Sequence, residues 1–435
     1  MSFLKDSVWT FAAQGAQALA QLATGVVLAR VLLAEGRGEY GLLVLVPTTA
    51  VVIAGLGLGT ASLRSVSKER ARAPAALANA LVAALVLGAI AALALFAWHT
   101  EIAAFVGTPA DGTALTLALV AVPLLVFDQY AALLLTGMGA VIAANLLKLV
   151  QAAAMLLLLP VTFAYFGRNV DAALAAFVLS YAASDLACLV YALRRAGGPL
   201  RFDAPLLREG LSFGLRTLPA SLAMFLLFRS DLFLVRAYRS LAEVGVYSLA
   251  TSLAIVFQLA ARSVERAFAP RVMARDAAAA SALTPRVTRA FVLVMTPLAL
   301  LAGALGFALI PLVFGDAFRA AALVFALFLP GMVIGNIGVL INGDLLSRGF
   351  PLAGSTSAIA CLAVNVTLNV LWIPRFGLVG AACASALTYA CYGVFVSLLY
   401  RRVSRVTLRE LFVPTIADVR AVRELVLGRV KHRAR

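Results

Sequence analysis

The sequence predicts an all-α, polytopic membrane protein, with about 12 transmembrane helices in two pseudo-symmetric six-helix lobes around a central cavity. Composition is the first reason: 63% of the 435 residues are hydrophobic and 13% are charged, and the mean hydropathy is +1.00. A soluble chain of this length cannot hide so much apolar surface. The second reason is that the apolar residues fall into runs long enough to cross a bilayer. The third is a repeat between the two halves.

Twelve apolar runs of about 20 residues or more are predicted to cross the membrane. Their spans are 8–32, 38–63, 76–98, 113–136, 144–166, 171–193, 210–236, 245–268, 289–314, 319–343, 352–374 and 378–400. The first run is too long for the apolar core of a cleavable signal peptide. Since the connections leave no room for a soluble catalytic domain, we predict that the chain is not an enzyme.

Lysine and arginine set the predicted orientation, because cytoplasmic loops carry an excess of both. Of the 36, 26 fall on the side that holds the two termini and 7 on the opposite side. Both termini are therefore predicted to be cytoplasmic. The net charge of +16 is then mostly a matter of topology, and no nucleic-acid partner is needed to explain it.

The two halves of the chain can be laid on each other. At an offset of 210 the matches are Gly139, Phe166 and Gly167 with Gly349, Phe376 and Gly377, and at an offset of 207 they are Gly38, Tyr40 and Leu42 with Gly245, Tyr247 and Leu249. An even number of helices per half predicts a pseudo-twofold axis along the membrane normal. The predicted domains are an N-terminal lobe over 1–197, a C-terminal lobe over 198–400 and a basic cytoplasmic tail over 401–435.

Within the tail, valines recur at near-helical spacing among basic residues. The valines are Val419, Val422, Val426 and Val430. This pattern predicts a short amphipathic helix on the anionic lipids of the inner leaflet. A solvated basic tail is the alternative.

Cysteine and histidine usage argues against a metal site, a cofactor or a catalytic residue. The four cysteines lie in apolar segments and are interpreted as small buried hydrophobes. The two histidines, His99 and His432, fall in a loop and in the tail. We predict no metal and no cofactor.

Amide side chains form two strips at membrane depth. Gln14, Gln17 and Gln21 lie on one face of the first predicted helix, and Asn145 begins a strip on the fifth. Such amides either hydrogen-bond between helices or line a cavity, and the sequence does not separate the two.

Charged residues inside apolar runs carry more weight, because a charge at membrane depth is costly and marks a functional site by default. Lys148 and Arg216 are cationic, and Asp128 and Asp185 are anionic. One interpretation is an ion pair of Lys148 with Asp128 or Asp185. The other is a cationic cavity for an anionic substrate, which suits Arg216 because no carboxylate lies three or four residues from it.

The run 210–236 holds Arg216 near one end, and Arg229 and Asp231 near the other. Arg216 and Arg229 are about 20 Å apart along a straight helix and point in different directions. Arg229 and Asp231 are therefore predicted to be structural or gating residues, as are Asp128 and Asp185. Arg216 is the predicted ligand of a substrate phosphate.

Taken together, several motifs resemble the polysaccharide-biosynthesis flippases, the O-antigen-type lipid-linked oligosaccharide translocases of the multidrug/oligosaccharidyl-lipid/polysaccharide exporter superfamily. The motifs are Leu28-Ala-Arg30, Gly36-Arg-Gly-Glu-Tyr40, Gly55-Leu-Gly-Leu-Gly59, Arg229-Ser-Asp231 and Ile373-Pro-Arg-Phe-Gly377. The resemblance covers nearly the whole chain, and the order and spacing of the motifs carry it. One departure is Ala34-Glu35, where the family often has Gly-Pro.

The resemblance implies alternating access and the flipping of a polyprenyl-pyrophosphate-linked oligosaccharide from the cytoplasmic to the periplasmic leaflet of a bacterial inner membrane, for cell-surface polysaccharide synthesis. Arg216, Lys148 and Arg30 would bind the diphosphate. The amides Gln14, Gln17, Gln21 and Asn145 would line the substrate path. A polysaccharide polymerase and glycosyltransferases would be partners.

Two other functions stay open. An ion-coupled drug or metabolite antiporter of the same architecture is favoured by Asp128 and Asp185 and disfavoured by a first helix without an acidic residue over 8–32. A membrane glycan polymerase or ligase would need a sizeable external loop, and the loops are too short for one.

Overall fold

The structure, a computed structural model, describes residues 2–273, 277–348, 350, 352–404 and 406–426, and this part of the chain is almost entirely α-helical. The helices are α1 Ser2–Ala54, α2 Leu58–Lys68, α3 Ala73–Ala97, α4 His99–Val106, α5 Thr113–Gly137, α6 Val141–Phe166, α7 Val170–Ala196, α8 Ala204–Tyr238, α9 Leu241–Met273, α10 Ala277–Phe314, α11 Arg319–Ser347, α12 Leu352–Ser404, α13 Leu408–Phe412 and α14 Ile416–Val426. Two short 3-10 helices lie at Arg70–Arg72 and Asp316–Phe318.

Nine helical stretches of the described residues are long and apolar enough to cross a membrane. Two of them, Ala13–Ala54 and Thr356–Ser404, have 42 and 49 residues and are each broken once, so each is long enough for two crossings. A shorter apolar stretch, Leu241–Ile255, begins the 33-residue helix α9, which covers the predicted run 245–268. Counted in this way, the helices agree with the twelve predicted crossings. The chain is a multi-pass membrane protein.

The breaks in α1 and α12 lie where the sequence predicts connections. The first is at Leu33, with φ 58° and ψ −170°, between the predicted runs 8–32 and 38–63. The second is at Gly377, with φ 59° and ψ −138°. A single residue with positive φ therefore replaces a loop at each site. Only Gly377 has the residue type that adopts this conformation at low cost.

The predicted repeat has a local structural counterpart. Gly167, which ends α6, has φ 85° and ψ 171°, and its match Gly377 shares the positive φ, with φ 59° and ψ −138°. The preceding phenylalanines, Phe166 and Phe376, are both exposed. Gly139 also has a positive φ of 72°, and its match Gly349 lies outside the described residues.

By packing, the chain divides into two compact units, residues 1–249 and 250–435. The predicted boundary at 197/198 follows the repeat instead of the packing, and it stays a prediction. In the first unit the largest fully buried side chains include Tyr130, Tyr247 and Leu134. In the second unit they include Phe291, Phe328 and Tyr400.

Glycine brings α1 and α9 into backbone contact in the first unit. A Cβ atom on Gly245 would overlap the carbonyl oxygen of Ala34, and one on Gly38 would overlap that of Leu241. Gly38 and Gly245 are equivalent in the predicted repeat, and each would place a Cβ 3.0 Å from the other's backbone nitrogen. Contact between equivalent positions is the isologous kind that a twofold axis produces.

A second glycine contact joins the end of α1 to α8. The chain turns at Gly55, Leu56 and Gly57, where Leu56 has φ 45° and Gly57 has φ 68°. A Cβ atom on Gly57 would lie 2.6 Å from the carbonyl oxygen of Gly214 in α8. The turn ends the predicted run 38–63 early and starts α2 as a separate helix. The Tyr130 hydroxyl donates to the Gly55 carbonyl at 3.0 Å and holds the turn against α5.

In the second unit a carboxylate joins three helices. Asp344 of α11 is 1% exposed and accepts hydrogen bonds from Thr284 of α10 at 2.8 Å and Tyr400 of α12 at 2.7 Å. Arg348, one turn further along α11, donates to it at 2.7 Å. Asn365 and Asn369 of α12 are fully buried and bond to each other at 3.0 Å. Asn369 donates to Asn365 one turn away in the same helix, and Asn365 donates to Ser385 and Thr388 at 3.5 Å beyond the Gly377 break.

The tail forms α13 and α14, and a salt bridge attaches them to α10. Arg289 donates to Asp418 at 2.6 Å and to the backbone carbonyl of Glu410 at 2.5 Å. Thr415 and Asp418 form a capping pair at the start of α14, with the hydroxyl donating at 2.6 Å. Ile416 and Val419 are exposed on α14, as the predicted membrane-facing helix requires. Val430 lies outside the described residues.

The glycine contact of α9 gives a first test. We expect Gly245→Ala to lower stability, because overpacking a tight contact costs about 1–3 kcal/mol. Gly15→Ala is the matched control, since nothing lies within 4 Å of a Cβ there and alanine favours a helix. The melting temperatures of the purified variants in detergent measure both. Equal melting temperatures would contradict the contact.

The tail gives a second test, in pH dependence. Burial acts to raise the pKa of Asp418, but hydrogen bonds from Arg289 and Thr415 and the Arg289 charge hold it at about 2, below its ordinary 3.8. A lowered pKa stabilises the folded tail fully above pH 3.8, and this stabilisation is lost as the pH falls through about 2. We therefore expect hydrogen exchange of α14, corrected for intrinsic rates, to be constant between about pH 5 and 8.

Asp418→Asn removes the charge, so it should speed exchange in α14 throughout that range. The control is Asp316→Asn, which removes one carboxylate of an exposed pair with Arg319. Exchange in α14 that changes equally in the two variants would rule out the attachment.

Candidate substrate-binding site

The predicted amide strips of α1 and α6 meet. The Gln14 side-chain nitrogen donates to the Asn145 side-chain oxygen at 3.4 Å, and Asn145 also donates to the Val141 carbonyl at 3.0 Å. Gln17 is half-buried and Gln21 is exposed. The strip is therefore partly an interhelical contact and partly an open polar face. Gln14 and Asn145 form the interhelical contact, and Gln21 belongs to the open face.

Lys148 of α6 forms an ion pair with Asp128 of α5. Lys148 lies seven residues from the start of α6, about 10 Å into the helix. The side chains are 34% and 15% exposed, so the pair is neither solvent-exposed nor fully buried. Of the two partners that the sequence left open for Lys148, Asp128 is the one that binds it. Much of the lysine charge is therefore already balanced.

Asp185 of α7 lies near this pair but does not join it. The residue is 6% exposed, and neither carboxylate oxygen has a hydrogen-bond partner within the described part of the chain. Around it, Gln151 donates to Ser180 at 3.2 Å and Ser184 donates to the Leu147 carbonyl at 3.0 Å. An unpartnered buried carboxyl at this depth is a functional candidate by default. This supports its predicted role without assigning one.

Arg216 lies on the exposed face of α8. The face is formed by Ser212, Leu215, Arg216 and Pro219. The buried face, with Gly214, Ala223 and Leu227, packs within the first unit. Among the described residues nothing forms a hydrogen bond or ion pair with Arg216, so its five N–H donors are available. It lies twelve residues from the start of α8, about 18 Å along the axis.

The other end of α8 has a structural contact. Asp231 is 1% exposed and accepts a hydrogen bond of 2.6 Å from the Tyr247 hydroxyl of α9. A second carboxylate oxygen accepts from the Leu232 backbone amide at 2.9 Å. Arg229 is half-buried. Asp231 thus fastens α9 to α8, which fits the structural part of its prediction.

Arginines on either side of the α1 break differ in burial. Arg30 is exposed, as a substrate ligand needs to be. Arg37 is 6% exposed and donates back across the break to the Gly25 carbonyl at 3.1 Å. Sequence reasoning placed Arg37 in an outer loop and missed this bond. The signal was the very short connection, which keeps Arg37 beside the preceding helix.

No group of three or more His, Cys, Asp or Glu side chains comes together to hold a metal ion in the described ranges. The structure brings together Gln14 with Asn145 and Lys148 with Asp128. It does not connect Arg216 to either pair.

Solved structures of other proteins have the same fold as this chain. The chain is similar to a multidrug resistance MATE family transporter of the MOP superfamily in an inward-facing conformation, with a TM-score of 0.72, 17% identity, and 89% of this chain and 94% of the other covered. It is equally similar to the lipid II flippase MurJ, with a TM-score of 0.72, 10% identity, and 98% and 93% covered. A MOP superfamily transporter from Pyrococcus furiosus follows at 0.59, with 16% identity and 92% and 95% covered. The protein has the fold of MOP superfamily transporters.

The family of the chain is defined more narrowly than its fold. The profile of the family described as polysaccharide biosynthesis protein matches residues 3–273, more than half of the chain. The chain belongs to this family, as the resemblance of its motifs predicted.

One relative matches a shorter stretch. The probable low-salt glycan biosynthesis flippase Agl15 of Haloferax volcanii is 32% identical over 79 residues, which are 18% of this chain and 17% of the relative. The match therefore spans less than a fifth of that protein.

The ion pair gives a third test. Asp128→Asn or Lys148→Gln alone should destabilise the protein, because each leaves one charge without its partner. The double variant should recover much of the loss. We expect a coupling between the roughly 0–1 kcal/mol of an exposed pair and the roughly 3–5 kcal/mol of breaking a buried one. Melting curves of all four proteins measure it, and strictly additive losses would exclude the pair.

Proposed function

We propose that this protein flips a polyprenyl-pyrophosphate-linked oligosaccharide across a membrane by alternating access, for the synthesis of a cell-surface polysaccharide. It belongs to a polysaccharide biosynthesis family and has the fold of MOP superfamily transporters. A relative and a structural neighbour are both described as flippases, one for a glycan and one for lipid II. On this proposal the protein is a transporter and carries out no bond chemistry.

Arg216 is the observation that carries the proposal. Its guanidinium is exposed, has no partner in the described chain and lies about 18 Å into a membrane-spanning helix. A charge at this depth costs free energy, so we expect it to serve a function. A lipid diphosphate supplies one, because Arg binds phosphate oxygens through two parallel hydrogen bonds. Lys148 is the weaker candidate, since Asp128 already binds it.

The amides have the matching role toward the glycan. Gln17 and Gln21 are at least partly accessible on α1, next to the Gln14–Asn145 contact. Amide side chains can donate hydrogen bonds to sugar hydroxyls and accept them. Because amides are neutral, they suit both neutral and charged glycans. Arg30 is also exposed, nine residues beyond Gln21 on α1 and on the opposite side of the helix from the glutamines.

The orientation belongs to the same proposal. The positive-inside distribution of the sequence supports cytoplasmic termini and an inner-membrane location. The substrate would enter from the cytoplasmic leaflet and be delivered to a polysaccharide polymerase, with glycosyltransferases supplying it. The anionic inner-leaflet lipids would bind the tail.

Ion-coupled antiport is the second candidate. The observation that favours it is Asp185, a buried carboxyl without a hydrogen-bond partner in the described part of the chain. The fold does not decide the matter, because a multidrug transporter and a lipid flippase share it at the same TM-score.

Substitution of Arg216 tests the proposed function. In a host depleted of the native protein, Arg216→Ala and Arg216→Glu should let lipid-linked glycan accumulate in the inner leaflet, because the diphosphate loses its ligand. Arg216→Lys should retain part of the transport, since it keeps the charge and loses the paired geometry. External labelling of the glycan measures transport, and immunoblots of the membrane fraction measure insertion.

The matched control is Arg194→Ala, which removes an exposed arginine from the last turn of α7. It should transport like the wild type. Normal transport by Arg216→Ala would remove Arg216 from the site. Unchanged external labelling after depletion of the protein itself would reject the flippase.

A further inference from the structure

A cavity in the first unit lies apart from the site described above. It has a volume of about 480 Å³ and is lined by α2, the start of α3, Tyr130 of α5 and the start of α8. The spans Arg70–Ala97 and Ala204–Tyr238 begin at this cavity, so it lies at one membrane face. Its apolar wall includes Leu58, Ala61 and Leu206.

The polar wall of the cavity is basic. Arg64, Lys68 and Arg72 line it together with Glu69 and Glu209. Arg72 is balanced by both carboxylates, at 2.6 Å from Glu69 and 3.4 Å from Glu209. For Arg64 and Lys68 the described residues provide no carboxylate within salt-bridge distance. Arg64 and Lys68 therefore have no direct ion-pair partner among the described residues, and the five charged side chains of the wall sum to a net charge of +1.

Arg64 is held in position for an anion. Its guanidinium lies over the ring of Phe213, 4.6 Å from the ring centre. Stacking of this kind fixes the guanidinium plane while leaving the N–H groups at its edge free to donate. A basic residue that only set the orientation of the chain in the membrane would not need to stack on a ring or to line a cavity.

Serine hydroxyls line the cavity beside these two cations. The Ser65 side-chain oxygen is buried and has no hydrogen-bond partner in the described part of the chain, and Ser65 lines the cavity with Ser62. Buried polar atoms are normally satisfied, so an unsatisfied one at a cavity wall suggests a missing partner. Two cations and two hydroxyls on consecutive turns of α2 suit phosphate oxygens.

From this geometry we propose that the cavity binds the phosphate of an anionic lipid headgroup, with Arg64 and Lys68 as its charged ligands and the apolar wall against the start of the lipid chain. A lipid is favoured over a soluble phosphate because the cavity is at the membrane face and half of it is apolar. The lipid is either a phosphodiester of the bilayer or a polyprenyl diphosphate. The argument uses only the lining and contacts of the cavity, so the inference does not rest on the proposed function.

The test measures binding to the full chain purified in detergent, by native mass spectrometry. The probes are phosphatidylglycerol, undecaprenyl diphosphate, zwitterionic phosphatidylcholine and inorganic diphosphate. The Arg64→Gln, Lys68→Gln double variant should bind the anionic lipids about tenfold more weakly or worse. Ser62→Trp, which fills the cavity and keeps both charges, should do the same.

The control is the Arg194→Gln, Arg195→Gln double variant, which removes the same charge from exposed positions outside the cavity. Weaker binding of both anionic lipids supports a general phosphate site, and weaker binding of one alone assigns the site to that lipid. Unchanged binding in the cavity variants, or an equal loss in the control, would overturn the proposal. So would inorganic diphosphate binding as tightly as the lipids.

If the double variant does not elute as a folded monodisperse species, Ser62→Trp decides the question alone. Loss of transport with normal lipid binding would count against the flippase and not against this site.

Discussion

Backbone contact at glycine is the constraint on which the first unit depends. Gly38 and Gly245 bring α1 and α9 together, and Gly57 and Gly214 bring the end of α1 against α8. No other residue type permits these approaches, because a Cβ atom would meet a backbone oxygen. In a membrane, where apolar side chains gain little by leaving lipid for protein, such close packing is a main source of helix association. These backbone contacts, together with the Asp231–Tyr247 and Tyr130–Gly55 hydrogen bonds, position the polar groups of the spans.

With the backbones fixed in this way, most charges at membrane depth have identifiable partners. Asp128 binds Lys148, and in the second unit Asp344 binds Arg348. Arg37 uses a backbone carbonyl instead. Arg216 differs, because it is exposed and the described chain offers it no anion. Asp185 also has no hydrogen-bond partner in the described chain, but it is buried, so Arg216 is the accessible charge whose partner should be sought outside the protein.

Hydropathy and short connections were enough to predict the helix spans, since both are local properties of the sequence. The break at Leu33 and the turn at Gly57 fall where the predicted runs end or carry glycine. The pairing of Lys148 could not be predicted, because periodicity along one helix does not tell which neighbour faces it, and Asp128 and Asp185 were equally available. The cavity around Arg64 could not be predicted either, because it needs four helices whose contacts are remote in sequence.

Helix α8 connects the two proposed anion sites. Phe213, which holds Arg64 in the cavity, is three residues from Arg216, and residues three apart lie next to each other on a helix surface. Phe213, which stacks on Arg64, and Arg216 therefore lie on the same stretch of α8, and an anionic headgroup near this stretch is attracted by both arginines. The two sites remain separate in their tests, because substitution of Arg64 and Lys68 leaves Arg216 in place.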